Sequence, residues 1–380
     1  MMMKVNTVCI HGTNKKKDAT GAITYPIYQT ATFAHLGVGE STGYDYTRTQ
    51  NPTRQQLEDT VALLEKGAGA IACATGMAAI TAVMELFRPG DHIVVSDDLY
   101  GGTYRSFHTI NEKNGISFTA VNTSNIKEIE EAITENTRAV YIETPSNPMM
   151  QVTDIAAVAK VAREHQLLLI VDNTFLTPYL QRPIELGANI VVHSGTKYLC
   201  GHNDTLAGFI IVDCEELKER LRVIYNTTGA CLAPIDSWLL MRGIKTLGIR
   251  IDRQQANAMQ IAVWLQKQDW VKQVYYIGLP EHPSFELSKR QADGFGAMIS
   301  FALDNEERVV QILEHVKVIQ FAESLGGVES LITYPMVQTH AAIPEEIRKA
   351  KGIDEHLLRL SVGIEDVEDL IEDLQQAAEY

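Results

Sequence analysis

A lysine that follows a predicted buried strand is the first residue whose position suggests chemistry. Residues 190–193 form a short apolar run typical of a strand, and Lys197 follows it in the segment Ser194-Gly195-Thr196-Lys197. Burial lowers the pKa of an amine, so the neutral form that acts as a nucleophile or base becomes available. The hydroxyls of Ser194 and Thr196 can donate to an anion such as a phosphate. An isolated lysine is more often an ordinary solvated loop residue, so this interpretation needs support from other residues.

A carboxylate stands in an equivalent position on another predicted strand. Asp172 ends the apolar run 167–171. Placed against a pyridine nitrogen, it would keep that nitrogen protonated and make the ring an electron sink. Considered alone, it could equally be a metal ligand or a helix cap.

Two glycine-containing turns add weaker signals. Thr75-Gly76-Met77 joins a strand-like run to a predicted helix, where backbone amides can approach a phosphate at the positive end of the helix dipole. Asp98-Leu99-Tyr100-Gly101-Gly102 follows the predicted strand 92–96 and presents a ring able to stack on a flat cofactor. Such turns are common, and Tyr100 alone would be a packing residue.

The elements that must position these residues alternate between helical patterns and short apolar runs. The predicted helices in this part are 54–66, 77–87, 126–133 and 155–165, and the predicted strands are 92–96, 139–143, 167–172, 190–193 and 207–212. Helices between buried strands predict an α/β fold with a mostly parallel central sheet covered on both faces. In such sheets ligands bind at the carboxyl ends of the strands. Lys197 and Asp172 both occupy that position.

Three regions are expected along the chain. Residues 1–52 lack periodicity and predict an extended arm that contacts a neighbouring subunit, and residues 53–235 form the large domain. Residues 236–380 predict a smaller C-terminal α+β domain, with a long helical stretch through Trp264, a strand at 296–303 and an amphipathic final helix.

Composition excludes several classes of function. The 380 residues carry a formal net charge of -15, which argues against nucleic acid or an anionic membrane as partner. The five cysteines are scattered and form no CxxC pair, so no disulfide framework or zinc site is expected. With no signal-peptide pattern and no apolar run long enough to span a bilayer, a cytoplasmic enzyme acting on small molecules is predicted.

Taken together, these motifs resemble the Cys/Met-metabolism family of fold-type I enzymes that use pyridoxal 5'-phosphate (PLP). The resemblance implies that Lys197 carries PLP as a Schiff base, that Asp172 contacts the pyridine nitrogen, and that Tyr100 stacks on the ring. It also implies the phosphate contacts Gly76, Met77, Ser194 and Thr196. The segment departs from the usual family pattern at Gly195, Cys200 and Asn203, none of which removes a required functional group.

The resemblance extends to the arm and to the substrate pocket. Tyr46 and Arg48 match a YxRxxNPT segment that reaches the PLP phosphate of the neighbouring subunit, which implies a dimer as the smallest active unit and a homotetramer built from two dimers. Arg359 matches the arginine that clamps the substrate carboxylate. The resemblance also places Ser324, Asn147 and Glu323 in this pocket.

The exact reaction depends on the edge of this pocket. Glu323 is similar to the γ-synthase and γ-lyase branches of the family, and three further segments, 39–45, 234–243 and 332–340, resemble the cystathionine γ-synthase / O-acetylhomoserine thiol-lyase branch. We therefore expect γ-replacement on an O-acyl-L-homoserine by L-cysteine or sulfide. A PLP lyase acting on cystathionine, methionine or cysteine needs the same residues and is the main alternative. A catalytically silent binding protein is disfavoured because lysine, aspartate and arginine are all retained, and the chain lacks the GxGxxG turn of NAD enzymes.

Overall fold

A seven-stranded sheet forms the centre of the molecule. The structure is a computed structural model that describes residues 3–13, 20–341 and 343–380. The strands of this sheet are β1 (Gly69–Cys73), β2 (His92–Ser96), β3 (Ser117–Val121), β4 (Thr137–Glu143), β5 (Leu168–Asp172), β6 (Ile190–Ser194) and β7 (Gly208–Val212). Their order is β1-β7-β6-β5-β4-β2-β3, and only β7 runs antiparallel to its neighbours. The predicted α/β fold with a mostly parallel central sheet is confirmed.

Both faces of the large sheet are buried except along the edge strand β3. Along β4, Val140 and Ile142 belong to one apolar layer, whereas Ala139 and Tyr141 belong to the other. Successive side chains of a strand point to opposite faces, so a continuous apolar run places half of its residues in each layer. This explains why the sequence shows apolar runs instead of alternation.

Helices cover these two faces and build the rest of the chain. Those up to the end of the large sheet are α1 (Val5–His11), α2 (Pro52–Glu65), α3 (Gly76–Met84), α4 (Gly101–Ser106), α5 (Ile126–Ala132), α6 (Ile155–Glu164) and α7 (Thr177–Leu180). Those beyond it are α8 (Glu215–Thr228), α9 (Pro234–Ile244), α10 (Leu247–Leu265), α11 (Phe285–Gln291), α12 (Glu306–His315), α13 (Glu345–Ala350) and α14 (Val367–Ala378). A five-residue π-helix, Phe107–Asn111, continues α4.

A second, smaller sheet follows. Its strands are β8 (Val271–Tyr275), β9 (Met298–Leu303), β10 (Gln320–Phe321), β11 (Leu331–Thr333) and β12 (Leu357–Ser361), in the order β10-β11-β12-β9-β8. All of its pairs are antiparallel except β10 with β11. The predicted α+β character of the C-terminal part is therefore confirmed, while the domain limits at 52 and 235 stay predictions.

Two local predictions need refinement. The arm contains helix α1, which lacks the length for a recognisable apolar period. The long helical stretch through Trp264 is divided into α9 and α10. Arg250 of α10 donates from Nη2 to the carbonyl of Gly243 at the end of α9, 2.9 Å away, and this carbonyl also accepts the backbone N–H of Thr246.

No helix in the described ranges is long and apolar enough to cross a bilayer.

Candidate active site

A cavity of about 220 Å³ opens where β4, β5 and β6 end. Most of the predicted site residues line it, and these are Gly76, Met77, Tyr100, Asn147, Asp172, Ser194, Thr196, Lys197, Glu323, Ser324 and Arg359. Tyr46 and Arg48 do not. The fold therefore brings together residues from both domains, since Glu323 and Ser324 lie in the loop between β10 and β11 and Arg359 lies on β12.

Lys197 projects into this cavity from the turn after β6. Its Nζ donates a hydrogen bond to Ser324 Oγ at 2.8 Å. Burial, followed by the positive charge of Arg359, lowers the pKa of Lys197 from 10.5 to about 8, against an opposing effect of Glu323. Ser324 adopts a positive φ of 98°, which is uncommon for a residue with a side chain and is found preferentially at functional sites. A neutral amine is therefore accessible close to physiological pH.

This lowered pKa predicts how the amine reacts in cofactor-free protein. Labelling of Lys197 by an amine-reactive ester should rise with pH and reach half its maximal rate at about 8, because only the neutral amine reacts. Peptide mass spectrometry across a pH series measures the rate. The urea-unfolded chain is the control, in which the same peptide should follow the ordinary lysine value of about 10.4. If the labelling rate depended on pH in the same way in the folded and unfolded chains, the fold would not alter the pKa of the Lys197 amine.

The three departures around Lys197 have physical explanations. A Cβ on Gly195 would lie 2.6 Å from the Phe209 ring, so the large aromatic neighbour excludes alanine in this backbone position. Asn203 has a φ of 53°, a left-handed conformation that asparagine tolerates well. The Cys200 thiol is 1% exposed and donates to Asp204, and burial raises its pKa to about 11. Cys200 is therefore an unreactive buried thiol.

The start of α3 and the end of β6 form a concave surface suited to a phosphate. Thr75 caps α3 by accepting a hydrogen bond from the Ala78 N–H at 2.9 Å. A Cβ on Gly76 would lie 3.1 Å from Ser194 Cβ, so glycine permits the close approach of the two segments. The Thr196 hydroxyl bonds with both backbone groups of Ala207, which fixes its orientation. The positive end of the α3 dipole faces this surface.

Asp172 and Glu143 are neighbours across β5 and β4 and share the floor of the cavity. Asp172 accepts hydrogen bonds from the N–H and hydroxyl of Thr174, at 3.0 and 2.6 Å. Burial raises the pKa of both carboxyls, and the charge of Asp172 raises that of Glu143 further. Because the pKa of Glu143 is raised further than that of Asp172, Glu143 is the carboxyl of this pair that takes up a proton first. Among the described residues, no group of three or more metal-ligating side chains lies together.

Glu143 was not predicted as a site residue, although it ends a buried strand as Asp172 does. Its Oε2 accepts the backbone N–H of Tyr100 at 2.9 Å, directly before α4. The Tyr100 ring is 41% exposed and packs over Gly102, where a Cβ would lie 2.4 Å from the ring. Glu143 therefore anchors the backbone of the residue whose ring covers the cavity.

A neutral Glu143 predicts different effects for two substitutions. Glu143→Gln should keep kcat within about threefold, because glutamine is neutral and retains an acceptor for Tyr100, whereas Glu143→Ala should lower kcat by about tenfold through loss of one hydrogen bond. Steady-state kinetics and titration with PLP measure both variants. An equal loss of kcat in both variants would mean that the site requires the charged carboxylate.

Arg359 lies on β12 and is 1% exposed. Its Nη1 donates to Asn147 Oδ1 at 2.8 Å, and its Nη2 donates to the Ser324 carbonyl and the Thr333 hydroxyl at 3.1 Å each. Its Nε is buried without a partner in the described part of the chain. Burial lowers its pKa to about 10. A guanidinium that lacks a carboxylate partner in a cavity wall is suited to bind an anion.

A buried histidine, also missed by the sequence analysis, connects the walls of this pocket. His340 Nε2 lies 2.9 Å from the Asn147 carbonyl, and Nδ1 lies 2.8 Å from the Thr339 hydroxyl. Burial and the charge of Arg359 lower its pKa to about 4, so the ring is neutral. It lies at the end of the segment 332–340, which the sequence analysis singled out without assigning a role.

Tyr46 and Arg48 lie elsewhere on the surface. Tyr46 is 47% exposed, and Arg48 stacks on its ring and donates to the backbone carbonyl of Asn226. Within a single chain neither residue reaches the cavity, so their contribution to a neighbouring site remains a prediction.

The residues present fit PLP. The cavity combines an amine with a lowered pKa, a carboxylate at the end of the adjacent strand, an exposed ring at the wall, and a helix N-terminus beside two hydroxyl side chains. These match the aldehyde, pyridine nitrogen, ring face and phosphate of PLP respectively. The glycine at position 76 leaves open the space that a Cβ would occupy beside Ser194.

Comparisons with known proteins identify the family of this chain. Residues 6–379 match the model of the family described as Cys/Met metabolism PLP-dependent enzyme. A cystathionine gamma-lyase of Bacillus subtilis (strain 168) is 52% identical over 377 residues, covering 99% of this chain and 100% of the relative. A cystathionine gamma-synthase/O-acetylhomoserine (thiol)-lyase of the same organism is 51% identical over 377 residues, covering 99% and 97%.

A solved structure extends the match to the whole fold. The cystathionine gamma synthase of Xanthomonas oryzae pv. oryzae, in complex with aminoacrylate and cysteine, superposes with a TM-score of 0.97 at 40% identity and covers 100% of this chain and 98% of that one. The chain therefore belongs to the Cys/Met metabolism family of PLP-dependent enzymes.

Proposed function

We propose that this enzyme catalyses γ-replacement on an O-acyl-L-homoserine, with L-cysteine or sulfide as the incoming nucleophile. The position of Glu323 carries the proposal. Its carboxylate lies beside Ser324 and lines both the inner cavity of Lys197 and a wider outer cavity of about 990 Å³. A carboxylate at this junction is suited to the ammonium group of a second amino acid that arrives from the outer cavity.

The charges of the outer cavity support the same role. Its acidic lining residues are Asp204, Asp236, Glu323 and Glu329, and its described lining contains no lysine, arginine or histidine. Three of these carboxylates accept hydrogen bonds from their own surroundings, through Cys200, Thr205 and Asn203. Glu323 is the exposed member closest to Lys197. It is the carboxylate placed to orient an incoming cationic group.

The residues of the inner cavity have separate tasks in this reaction. Arg359, oriented by Asn147, binds the α-carboxylate of the acyl-homoserine. Lys197 Nζ, in its neutral form, takes the α-proton, and Lys197 and Tyr100 are the candidates for moving the second proton that γ-chemistry requires. PLP, when bound, supplies the electron sink for the carbanion. Tyr100 covers the cavity and restricts the access of water.

Products and a matched variant test the proposal. Purified enzyme given O-acetyl-L-homoserine should form cystathionine only when L-cysteine is present. Glu323→Gln should raise the KM for cysteine by about tenfold, the equivalent of one weak ion pair, and leave the KM for sulfide unchanged because sulfide has no ammonium group. Failure to turn over any acyl-homoserine would contradict γ-replacement. Equal effects on cysteine and sulfide would contradict the role of Glu323.

The acidic surroundings also predict which acyl group is preferred. We expect kcat/KM to be at least about tenfold higher for O-acetyl- than for O-succinyl-L-homoserine, since the succinyl carboxylate would meet like charges. Kinetics with both esters at several salt concentrations measure this preference. Higher salt should reduce the difference, and an equal or reversed preference at low salt would contradict the electrostatic argument.

A PLP lyase that eliminates sulfur from cystathionine is the second candidate. The 52% identity to a relative named cystathionine gamma-lyase favours it. Both reactions need Lys197, Asp172, Tyr100 and Arg359. Cystathionine supplied alone distinguishes the lyases, because release of 2-oxobutyrate indicates γ-cleavage and release of pyruvate indicates β-cleavage.

The active unit is proposed to be at least a dimer, within a homotetramer. Tyr46 and Arg48 are exposed and remote from the cavity of their own chain, as expected for residues that complete a neighbouring site. Sedimentation velocity combined with activity at decreasing protein concentration tests this assembly. A fully active monomer would contradict it.

A further inference from the structure

Two cysteines face each other beside the phosphate-binding end of the cavity. Cys73 is the last residue of β1, and Cys231 lies in the segment between α8 and α9. The two form an isolated antiparallel bridge. The hydrogen bonds flank the pair instead of joining it: the Ala74 N–H donates to the Ala230 carbonyl at 2.8 Å, and the Leu232 N–H donates to the Ala72 carbonyl at 3.3 Å. Cys73 and Cys231 therefore occupy a non-hydrogen-bonded pair.

This position is compatible with a disulfide. In a non-hydrogen-bonded antiparallel pair the Cα atoms lie about 4.5 Å apart and both side chains point to the same face. Disulfides span Cα separations of about 4.4–6.8 Å, so a disulfide can bridge this pair. Both thiols are free in this structure. A disulfide formed here is open to thiol–disulfide exchange through the partly exposed Cys231.

The two thiols differ in access. Cys73 is fully buried, and burial together with the Glu58 carboxylate raises the pKa of its thiol well above the usual range. Cys231 is partly exposed and lines the outer cavity, the same cavity that Glu323 borders. A reagent in solution therefore meets Cys231 first, and Cys73 can react only with a group already attached to its partner.

We propose that Cys73 and Cys231 form a modification site, which is converted reversibly into a disulfide by small-molecule disulfides such as cystine or oxidised glutathione. The Cys231 thiolate attacks one sulfur of the reagent and releases one thiol, leaving a mixed disulfide on Cys231. The Cys73 thiolate then attacks the Cys231 sulfur and releases the second thiol. The protein pair loses two electrons, the reagent gains them, and the two protons of the protein thiols end on the two released thiols.

The location makes this site relevant to the cofactor. Cys73 precedes Thr75, the cap of α3, by two residues, and Cys231 is joined through its neighbours to the backbone on either side of Cys73. A disulfide would thus tie the segment before α9 to the strand that leads into the proposed phosphate-binding surface.

The test uses the PLP-loaded enzyme, oxidised glutathione, alkylation of the remaining free thiols, and peptide mapping without reduction. Wild type should yield two peptides, one containing Cys73 and one containing Cys231, joined by a disulfide. Dithiothreitol should separate them. The exposed Cys214 lies outside the Cys73–Cys231 bridge and is the internal control. It should carry a glutathione adduct. In Cys73→Ser the adduct should persist on Cys231, because no thiol is left to displace it.

Cys231→Ser is the matched second variant. It should give no linked peptides and leave Cys73 alkylated after unfolding, because the reagent cannot reach the buried thiol. The proposal is overturned if wild type retains the adduct on Cys231 as Cys73→Ser does. It is also overturned if Cys73 and Cys231 both stay unmodified while Cys214 reacts. The readout is covalent mass, so it is independent of which reaction the enzyme catalyses.

Discussion

Replacing Lys197 by alanine is expected to lower kcat by about 10³-fold or more, which lies within the range for loss of a positioned proton-transfer group. Among the described residues, Lys197 is the lysine that lines the inner cavity, and its amine has a pKa of about 8. Alanine removes both the amine that would attach PLP and the base that would take the α-proton. Steady-state kinetics with acyl-homoserine measure the loss.

A second readout separates these roles from a general loss of structure. After reduction with borohydride, wild type should carry PLP covalently on the peptide containing Lys197, whereas Lys197→Ala should carry none. Lys197→Arg is the control that keeps a positive charge but cannot supply a neutral amine at pH 8, and it should be as inactive as alanine. Covalent PLP on another lysine of the wild-type enzyme would contradict the assignment.

The position of Lys197 and Asp172 could be predicted because it follows from local sequence. Asp172 ends one short apolar run and Lys197 follows another by four positions. Such runs predict buried parallel strands whose carboxyl ends meet at one edge. The structure confirms β5 and β6 at these places. The chemical role proposed for the lysine also follows from its residue type and from burial.

Other parts of the site could not be predicted from spacing. Arg359 and Asn147 are separated by 212 positions, and their contact depends on how the smaller sheet packs against the larger one. Their assignment came from the family resemblance alone. Glu143 illustrates a different limit, because the raised pKa of its carboxyl depends on burial and on Asp172 across a strand pair, and its task depends on one hydrogen bond to Tyr100. Neither the effect of Asp172 nor the hydrogen bond to Tyr100 produces a periodic pattern in the sequence.

The second large effect is expected at Arg359. Arg359→Lys should lower kcat/KM for acyl-homoserine by about 10²-fold, or about 3 kcal/mol, because lysine keeps the charge but loses the planar fork that binds a carboxylate with two hydrogen bonds. Two of its nitrogens are already engaged by Asn147, Ser324 and Thr333, while Nε remains unpartnered. The geometry of the fork is thus fixed before substrate arrives.

A modified substrate isolates the carboxylate contact from other consequences of the substitution. With the carboxamide analogue of O-acetyl-L-homoserine, which carries no negative charge, wild type and Arg359→Lys should differ by less than about threefold, because the charge-assisted bonds are absent from both. PLP absorbance should be the same in both proteins, since Arg359 lies on β12, away from the proposed phosphate-binding surface at α3. If Arg359→Lys lowered kcat/KM equally for O-acetyl-L-homoserine and for its carboxamide analogue, Arg359 would act by supporting Asn147 and Ser324 and not by binding the carboxylate.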